Sequence, residues 1–262
     1  MLGPLNSILR AGNILRCLAE EEAQLKISEL ARRLQLDRST TYRILLSLEK
    51  CRLVQKNEKT GAYSLGLASF EIGNAFISRM DFIQVSKPVM ANLAEEVRET
   101  VHLAVLSDSE VVYVDKVDSP RSLVVMYKIG QRAPLYCTAL GKVLLAFQHE
   151  NNKKRIINQI EFKPFTSNTI VTKKKLLEEL IKIQHQGFAI DFREYEEGVE
   201  CLAGPILNHT GEIIAALSFS GPQRKINIRQ EKKFVNSIVE AAALISERLG
   251  YKKSDQTTQE RG

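Results

Sequence analysis

The chain has 262 residues, 44% of them hydrophobic and 26% charged, as in an ordinary globular protein of one or two domains. No apolar run approaches the roughly 18 residues of a membrane-spanning helix, and four scattered cysteines without a CxxC motif indicate reduced thiols in a cytoplasmic protein. Residues 1–80 contain 12 Lys and Arg against 8 Asp and Glu, whereas residues 81–250 contain 22 against 21. This uneven charge favours a polyanion as the partner of the first third.

The first third of the sequence predicts three helices. Apolar residues recur at helical spacing over residues 5–21. A second helix is predicted over residues 28–34 with Ser28 as its N-cap, and a third begins after Asp37, whose side chain is suited to cap it. The short turn between the last two helices sets them at a large angle, as in helix-turn-helix motifs.

The third helix separates an apolar stripe from a polar face. Thr41, Leu45 and Leu48 form the stripe, while polar residues occupy the helix start and the opposite side. Such a face suits contacts to phosphates and base edges when a helix enters the major groove of DNA. A basic hairpin follows, where a wing would contact the neighbouring backbone. The predicted DNA-contacting residues are Ser28, Arg38, Ser39, Thr40, Tyr42, Arg43, Lys50, Lys56 and Lys59.

Taken singly, each of these residues is more typical of an ordinary solvated surface. Only their combination with three helices, a short turn and a basic hairpin predicts DNA binding.

The rest of the chain predicts a helical connector and then a mixed α+β domain. Pro88 is expected in the first turn of a helix that follows the connector. Beyond residue 100, strand-like runs such as VHLAVLS, EVVYVDKVD and SLVVMYKI alternate with helical segments. The predicted boundaries are 4–66 for the DNA-binding domain, 67–83 for the linker, 84–251 for the second domain and 252–262 for a disordered tail.

Three features of the second domain suit a small acid. The segment Thr138–Gly141 opens a helix, whose free N–H groups and dipole favour a carboxylate. Ser218 and Ser220 share one face of a strand, and Asp191 at another strand end would accept hydrogen bonds from ligand hydroxyls. The alternative is that Asp191 is a turn or cap residue and that the serines are ordinary strand residues.

The sequence contains no motif for catalysis. GxSxG, HExxH, P-loop and GxGxxG patterns are absent. A cysteine nucleophile with His102 or His209 has no supporting spacing, and His102 is interpreted as a strand residue. The scattered cysteines and histidines predict no metal, and no cofactor or catalytic residue is predicted. The acidic run Glu194, Glu196 and Glu197 is interpreted as a solvated loop.

Several blocks of this sequence resemble the IclR family of bacterial transcription regulators. They are SELARRLQLDRSTTYRILLSLE, the wing ending in YSLG, PLYCTALGKVLLA, GFAIDFREYEEGVECLAGPI and ALSFSGP, within about residues 5–250. The PLYCTALGKVLLA block is most similar to the branch that governs catabolism of sugar acids such as 2-keto-3-deoxygluconate. The resemblance implies a winged helix-turn-helix, a connecting helix and a GAF/profilin-like α+β effector domain, in dimers or tetramers that bind palindromic operators.

The resemblance also implies where the effector binds. The family's contact positions correspond to Ala139, Leu140, Asp191, Cys201, Ser218 and Ser220. Some relatives carry a Gly-Ala pair where this chain has Ala139-Leu140, so the bulkier Leu140 would narrow or reshape the cavity. Without the resemblance, Cys201 would be interpreted as a small buried hydrophobe.

The expected function is a cytoplasmic transcription regulator that represses a catabolic operon. Its expected partners are double-stranded operator DNA and a small carboxylate effector, for which a sugar acid is one option. Two alternatives remain open. One is a cytosolic enzyme whose N-terminal helices serve only for packing. The other is an architectural DNA-binding protein with a purely structural second domain.

Overall fold

A computed structural model describes residues 4–20, 24–78, 81–119, 127–222 and 232–252. The chain divides into two compact units, Met1–Met80 and Asp81–Gly262. Within the described ranges, no helix is both long and apolar enough to cross a membrane.

The first unit contains three helices, an antiparallel hairpin and a fourth helix. In chain order they are α1 (Asn6–Glu20), α2 (Ile27–Arg33), α3 (Arg38–Lys50), β1 (Val54–Lys56), β2 (Tyr63–Leu65) and α4 (Leu67–Ser78). Ile14, Leu30 and Leu45, one from each of the first three helices, are fully buried in one apolar cluster with Tyr63 of the hairpin. The hairpin is therefore packed onto the helices, as the winged helix-turn-helix prediction requires.

The start of α2 differs from the prediction. Leu25 and Tyr63 pair through backbone hydrogen bonds of 2.8 and 3.0 Å, which keeps the chain extended up to Lys26. Lys26 is the N-cap, without a side-chain hydrogen bond, and the helix begins at the next residue. Ser28 lies in the first turn, so the prediction that it caps α2 is wrong.

The turn between α2 and α3 is closed by backbone hydrogen bonds. Leu36 N–H donates to the Ala31 carbonyl at 2.9 Å, and Gln35 between the helices adopts a φ of 52°. A left-handed residue at this point is the usual way to end a helix and redirect the chain, although glycine adopts it more readily.

The second unit is a six-stranded sheet with five helices among its described residues. The helices are α5 (Asp81–Val97), α6 (Ala139–Ala146), α7 (Glu150–Gln159), α8 (Lys173–Gln186) and α9 (Lys232–Arg248). The strands are β3 (Thr100–Ser107), β4 (Glu110–Val117), β5 (Arg132–Pro134), β6 (Ala189–Phe192), β7 (Val199–Leu207) and β8 (Ile213–Pro222). Their spatial order is β5-β4-β3-β8-β7-β6, and every neighbouring pair is antiparallel.

Each face of this sheet carries a different set of helices. On one face Ala104, Ala203 and Ala216 belong to the same apolar cluster as the residues of α6. On the other face the centroid of the Phe219 ring lies 5.8 Å from the centroid of the Phe234 ring in α9. The alternation of side chains along β7 and β8 thus places the two helices on opposite faces.

Pro88 lies in the middle of α5, so the prediction of a first-turn position is wrong. Buried Ile83 and Met90 on either side of Pro88 supply the packing that offsets the lost backbone hydrogen bond.

The strand β5 was not predicted, because three residues ending in proline give no strand pattern. Most of the predicted run SLVVMYKI, and the tail from residue 253, lie outside the described residues.

Candidate functional site

Asp37 fixes the N-terminus of α3, as predicted. Its carboxylate accepts hydrogen bonds of 2.7 Å from the Thr40 N–H and from the Ser39 hydroxyl, and these bonds hold the Asp37 pKa well below its usual range. Because the Ser39 hydroxyl is engaged as a donor, it offers DNA only its acceptor lone pairs. That arrangement suits a base amino group better than a phosphate.

The structure brings four predicted DNA-contacting residues together. Ser28 of α2 and Arg38, Ser39 and Tyr42 of α3 line one surface depression, which Gly61 at the hairpin tip also borders. Tyr42 is 48% exposed, so its ring is available to a ligand. Side chains from two helices, together with the backbone of the hairpin tip, thus line one surface beside the start of α3.

The other predicted residues of α3 lie elsewhere on the helix. Thr40, which is half-buried, and Arg43, which is exposed, border a groove between α3 and Ser7 and Ala11 of α1. Lys50 ends the helix, about 18 Å along the axis from Arg38 at 1.5 Å per residue.

The two predicted wing lysines are both exposed. Lys59 stands near the hairpin tip, and Lys56 forms a 3.8 Å ion pair with exposed Glu58. A pair this exposed contributes little to stability, and it does not prevent Lys56 from exchanging Glu58 for a phosphate.

In the second unit, three neighbouring strands align predicted effector residues in one row. Asp191 of β6 pairs with Cys201 of β7, and Cys201 pairs with Ser220 of β8. Directly opposed residues of antiparallel strands point to the same face. The row is therefore continuous on the face that packs against α6.

Ser218 belongs to a second row on the same face. It pairs with Ala203 of β7 on one side and with His102 of β3 on the other. The next row contains Ala216 and Ala104. In these rows Ala203, Ser218, Ala216 and Ala104 are all small and buried.

The helix above this face is α6, whose N-terminus is buried. The Thr138 hydroxyl accepts a 3.1 Å hydrogen bond from the Gly141 N–H and donates a 2.7 Å hydrogen bond to the Pro134 carbonyl. Ala139 and Leu140 are 1% and 3% exposed, and within the described part of the chain their N–H groups have no acceptor. Unpaired donors at a buried helix start are suited to an anion.

Burial sets the protonation of the row. It raises the Asp191 pKa to about 7, although the carboxylate accepts a 2.7 Å hydrogen bond from the Glu194 N–H. Burial also raises the pKa of the Cys201 thiol, and the Cys201–Ser220 hydrogen bond only partly offsets this. The thiol is thus a neutral small group and not an activated nucleophile.

Sequence reasoning missed the buried ion pair that supports this site. Lys142 of α6 is fully buried, and its Nζ donates to the Ile190 carbonyl at 2.5 Å and to the Glu194 carboxylate. Glu194 is 6% exposed, so the prediction that it belongs to a solvated loop is wrong. The lone Lys in the apolar run GKVLLA was the signal, since a buried cation needs a counter-ion.

Within the described ranges, no cluster of three or more His, Cys, Asp or Glu side chains is arranged to hold a metal ion. The polar groups of the site are instead a helix start, hydroxyls, a thiol and one carboxyl. They are suited to bind a small polar molecule.

Comparison with known proteins assigns both units. Residues 7–58 match the IclR helix-turn-helix domain, and residues 74–247 match the C-terminal domain of bacterial transcriptional regulator IclR. Over 247 residues, 94% of this chain, the sequence is 36% identical to the HTH-type transcriptional regulator KdgR of Dickeya chrysanthemi, covering 81% of that protein. It is 35% identical to KdgR of Escherichia coli, again over 94% of this chain, covering 94% of that protein.

A solved structure supports the same assignment. The crystal structure of Thermotoga maritima IclR is 31% identical and aligns with a TM-score of 0.75 over 94% of this chain and 99% of that chain. The aligned structure and the two matched domains confirm the predicted α+β fold class. The relatives are named as transcriptional regulators, which confirms a DNA-binding regulator instead of an enzyme. This chain belongs to the IclR family of bacterial transcriptional regulators, with an N-terminal helix-turn-helix domain and a C-terminal effector domain.

Proposed function

We propose that this regulator is a cytoplasmic repressor of a catabolic operon and that a small sugar-derived acid relieves repression. The observation that carries the effector class is the convergence of Asp191, Cys201, Ser218 and Ser220 on one sheet face beneath the buried start of α6. Similarity to two KdgR regulators favours a sugar acid within this class.

In this proposal the effector carboxylate binds at the α6 start. The N–H groups of Ala139 and Leu140 donate to it, and the Ser218 and Ser220 hydroxyls contribute further hydrogen bonds. Asp191 accepts a hydrogen bond from a ligand hydroxyl and disfavours a second negative charge nearby. The Leu140 side chain narrows the site, which favours a slim aliphatic acid over a bulky one.

The DNA-binding domain comprises residues 4–66 in our proposal, the linker residues 67–83 and the effector domain residues 84–251. The N-terminal residues of α3 contact base edges, and the wing lysines contact phosphates. As a dimer or tetramer the protein would bind a palindromic operator, with half-sites about 34 Å apart or a multiple of this. The effector relieves repression only if it binds one arrangement of the oligomer more tightly than the other.

The test begins with a thermal-shift screen of the full chain against 2-keto-3-deoxygluconate, D-gluconate, D-galacturonate and pyruvate. Binding to the folded state alone raises the melting temperature, so one of these acids is expected to stabilise the protein. The same acid should release a DNA fragment selected from a random library. A failure of all four acids in both assays contradicts the proposed effector class.

The site itself is tested with a Ser218→Ala, Ser220→Ala double variant. We expect it to lose the response to the acid while still binding the selected DNA. The exposed Ser167 of the same domain provides the matched control, since Ser167→Ala should respond like the wild type. An unaltered response of the double variant would move the effector site elsewhere.

A further inference from the structure

His102 lies on the same sheet face as the proposed effector site, although sequence reasoning interpreted it only as a strand residue. It is directly opposite Ser218 in the pairing of β3 with β8. Its side chain is 1% exposed. Because neighbouring strands are about 4.8 Å apart, an effector bound to the Ser218 hydroxyl is within reach of the imidazole.

Both ring nitrogens of His102 are buried, and neither has a hydrogen-bond partner among the described residues. A buried polar atom without a partner costs free energy, so it calls for an explanation such as a ligand. Burial lowers the His102 pKa to about 4, so the ring is neutral near pH 7. A neutral imidazole offers one N–H donor and one acceptor.

Aromatic packing holds the ring in place. The His102 ring makes edge contacts with Tyr113 at 5.4 Å and with Tyr127 at 5.6 Å between ring centroids. The two tyrosine rings stack on each other at 4.7 Å. The ring is thus positioned by contacts that leave its hydrogen-bonding capacity unused.

We propose that His102 is an effector-contacting residue whose imidazole exchanges hydrogen bonds with a hydroxyl of the bound acid, beyond its carboxylate. A hydroxyl both donates and accepts, so it satisfies a neutral imidazole in a way that an unsubstituted acid does not. His102 therefore selects hydroxylated acids. This proposal rests on the effector site proposed above and assigns it one more residue.

The test compares His102→Phe with His102→Asn in the full chain. Phe keeps a flat ring against the two tyrosines but has no nitrogens, whereas the Asn amide keeps a donor and an acceptor. Isothermal titration uses whichever of the three hydroxylated acids named above, that is any of the four except pyruvate, binds the wild type most tightly. We expect His102→Phe to weaken binding at least about tenfold, at 1.4 kcal/mol per tenfold change, and His102→Asn to weaken it less.

The unliganded melting temperature separates this role from a structural one. His102→Phe removes two unsatisfied nitrogens, so its melting temperature without ligand should equal or exceed that of the wild type. Loss of a structural hydrogen bond would instead lower the melting temperature. Affinity within threefold of the wild type, or a melting temperature lowered by more than about 5 °C, would overturn the role of His102. If the wild type binds none of the acids, both the effector site and this inference fail. If the Ser218→Ala, Ser220→Ala variant loses acid binding and His102→Phe does not, the proposed effector site stands and the role of His102 fails.

Discussion

Lys142 of α6 and Glu194 of the segment after β6 form a buried ion pair that joins the two sides of the proposed effector site. Lys142 comes three residues after Ala139, and Glu194 comes three residues after Asp191. The Glu194 backbone N–H also donates to the Asp191 carboxylate at 2.7 Å. The pair therefore holds the helix start and the carboxyl of the proposed site in a fixed relation.

Breaking this ion pair should destabilise the effector domain strongly. Lys142→Met leaves Glu194 buried without its cation, and removal of one partner of a buried pair typically costs about 3–5 kcal/mol. Urea denaturation of the full chain measures the loss. In the double variant Lys142→Met, Glu194→Leu no charge is stranded, so part of the stability should return. A double variant no more stable than the single one would contradict this account.

Asp191 should make stability depend on pH. Its folded-state pKa of about 7 exceeds the value of about 3.9 for an unfolded Asp. Between these values the folded state binds more protons than the unfolded state, so the free energy of unfolding falls as pH rises from about 4 to about 7. Asp191→Asn removes this dependence, because Asn stays neutral and still accepts a hydrogen bond from the Glu194 N–H.

The comparison must be made between variant and wild type, since the lowered His102 pKa acts in the opposite direction at acidic pH. Between pH 4 and pH 8 the free energy of unfolding of Asp191→Asn, measured relative to that of the wild type, should rise by a few kcal/mol. The expected slope is about 1.4 kcal/mol per pH unit between about pH 4 and about pH 7. Urea denaturation across this pH range measures the difference. A difference that is independent of pH would show that Asp191 is ionised at pH 5.

Arg43 and Lys59 should contribute differently to DNA binding. Arg43→Ala is expected to weaken binding to the selected operator by about 1–3 kcal/mol and to relax its preference at one base pair. Lys59→Ala should weaken binding to every sequence alike and lower the salt dependence by about one counterion. Fluorescence anisotropy at several salt concentrations distinguishes the two.

The exposed Lys174 on α8 provides the matched control for loss of one positive charge. Lys174→Ala should bind DNA like the wild type. If Arg43→Ala also matches the wild type, α3 does not read DNA through this side chain.

Gly66 is expected to tolerate no side chain. A Cβ at this position would lie 2.3 Å from the Arg52 carbonyl oxygen, which is backbone and is fixed by the end of α3. Gly66→Ala should therefore lower the melting temperature of the DNA-binding domain by several degrees. Gly12 in α1 is the matched control, since its Cβ would meet nothing within 4 Å. Gly12→Ala should stabilise the domain by about 1 kcal/mol, and equal effects of both changes would contradict the steric argument.

Local signals accounted for most of the first unit. The Asp37 cap, the α3 stripe of Thr41, Leu45 and Leu48, and the hairpin followed from caps and periodicity, which depend on residues close in sequence. The Ser28 cap failed because the start of α2 is set by the pairing of Leu25 with Tyr63, residues far apart in the chain.

The sequence by itself determined the two-part organisation, the α+β class and the family, and it predicts which helix reads DNA. These follow from periodicity and from contiguous motifs. Only the tertiary structure decided that Glu194 is the buried partner of Lys142, and that His102 stands opposite Ser218 with unsatisfied nitrogens. Burial and hydrogen-bond satisfaction depend on which distant strands pair and which helix covers them, and no local pattern encodes that pairing.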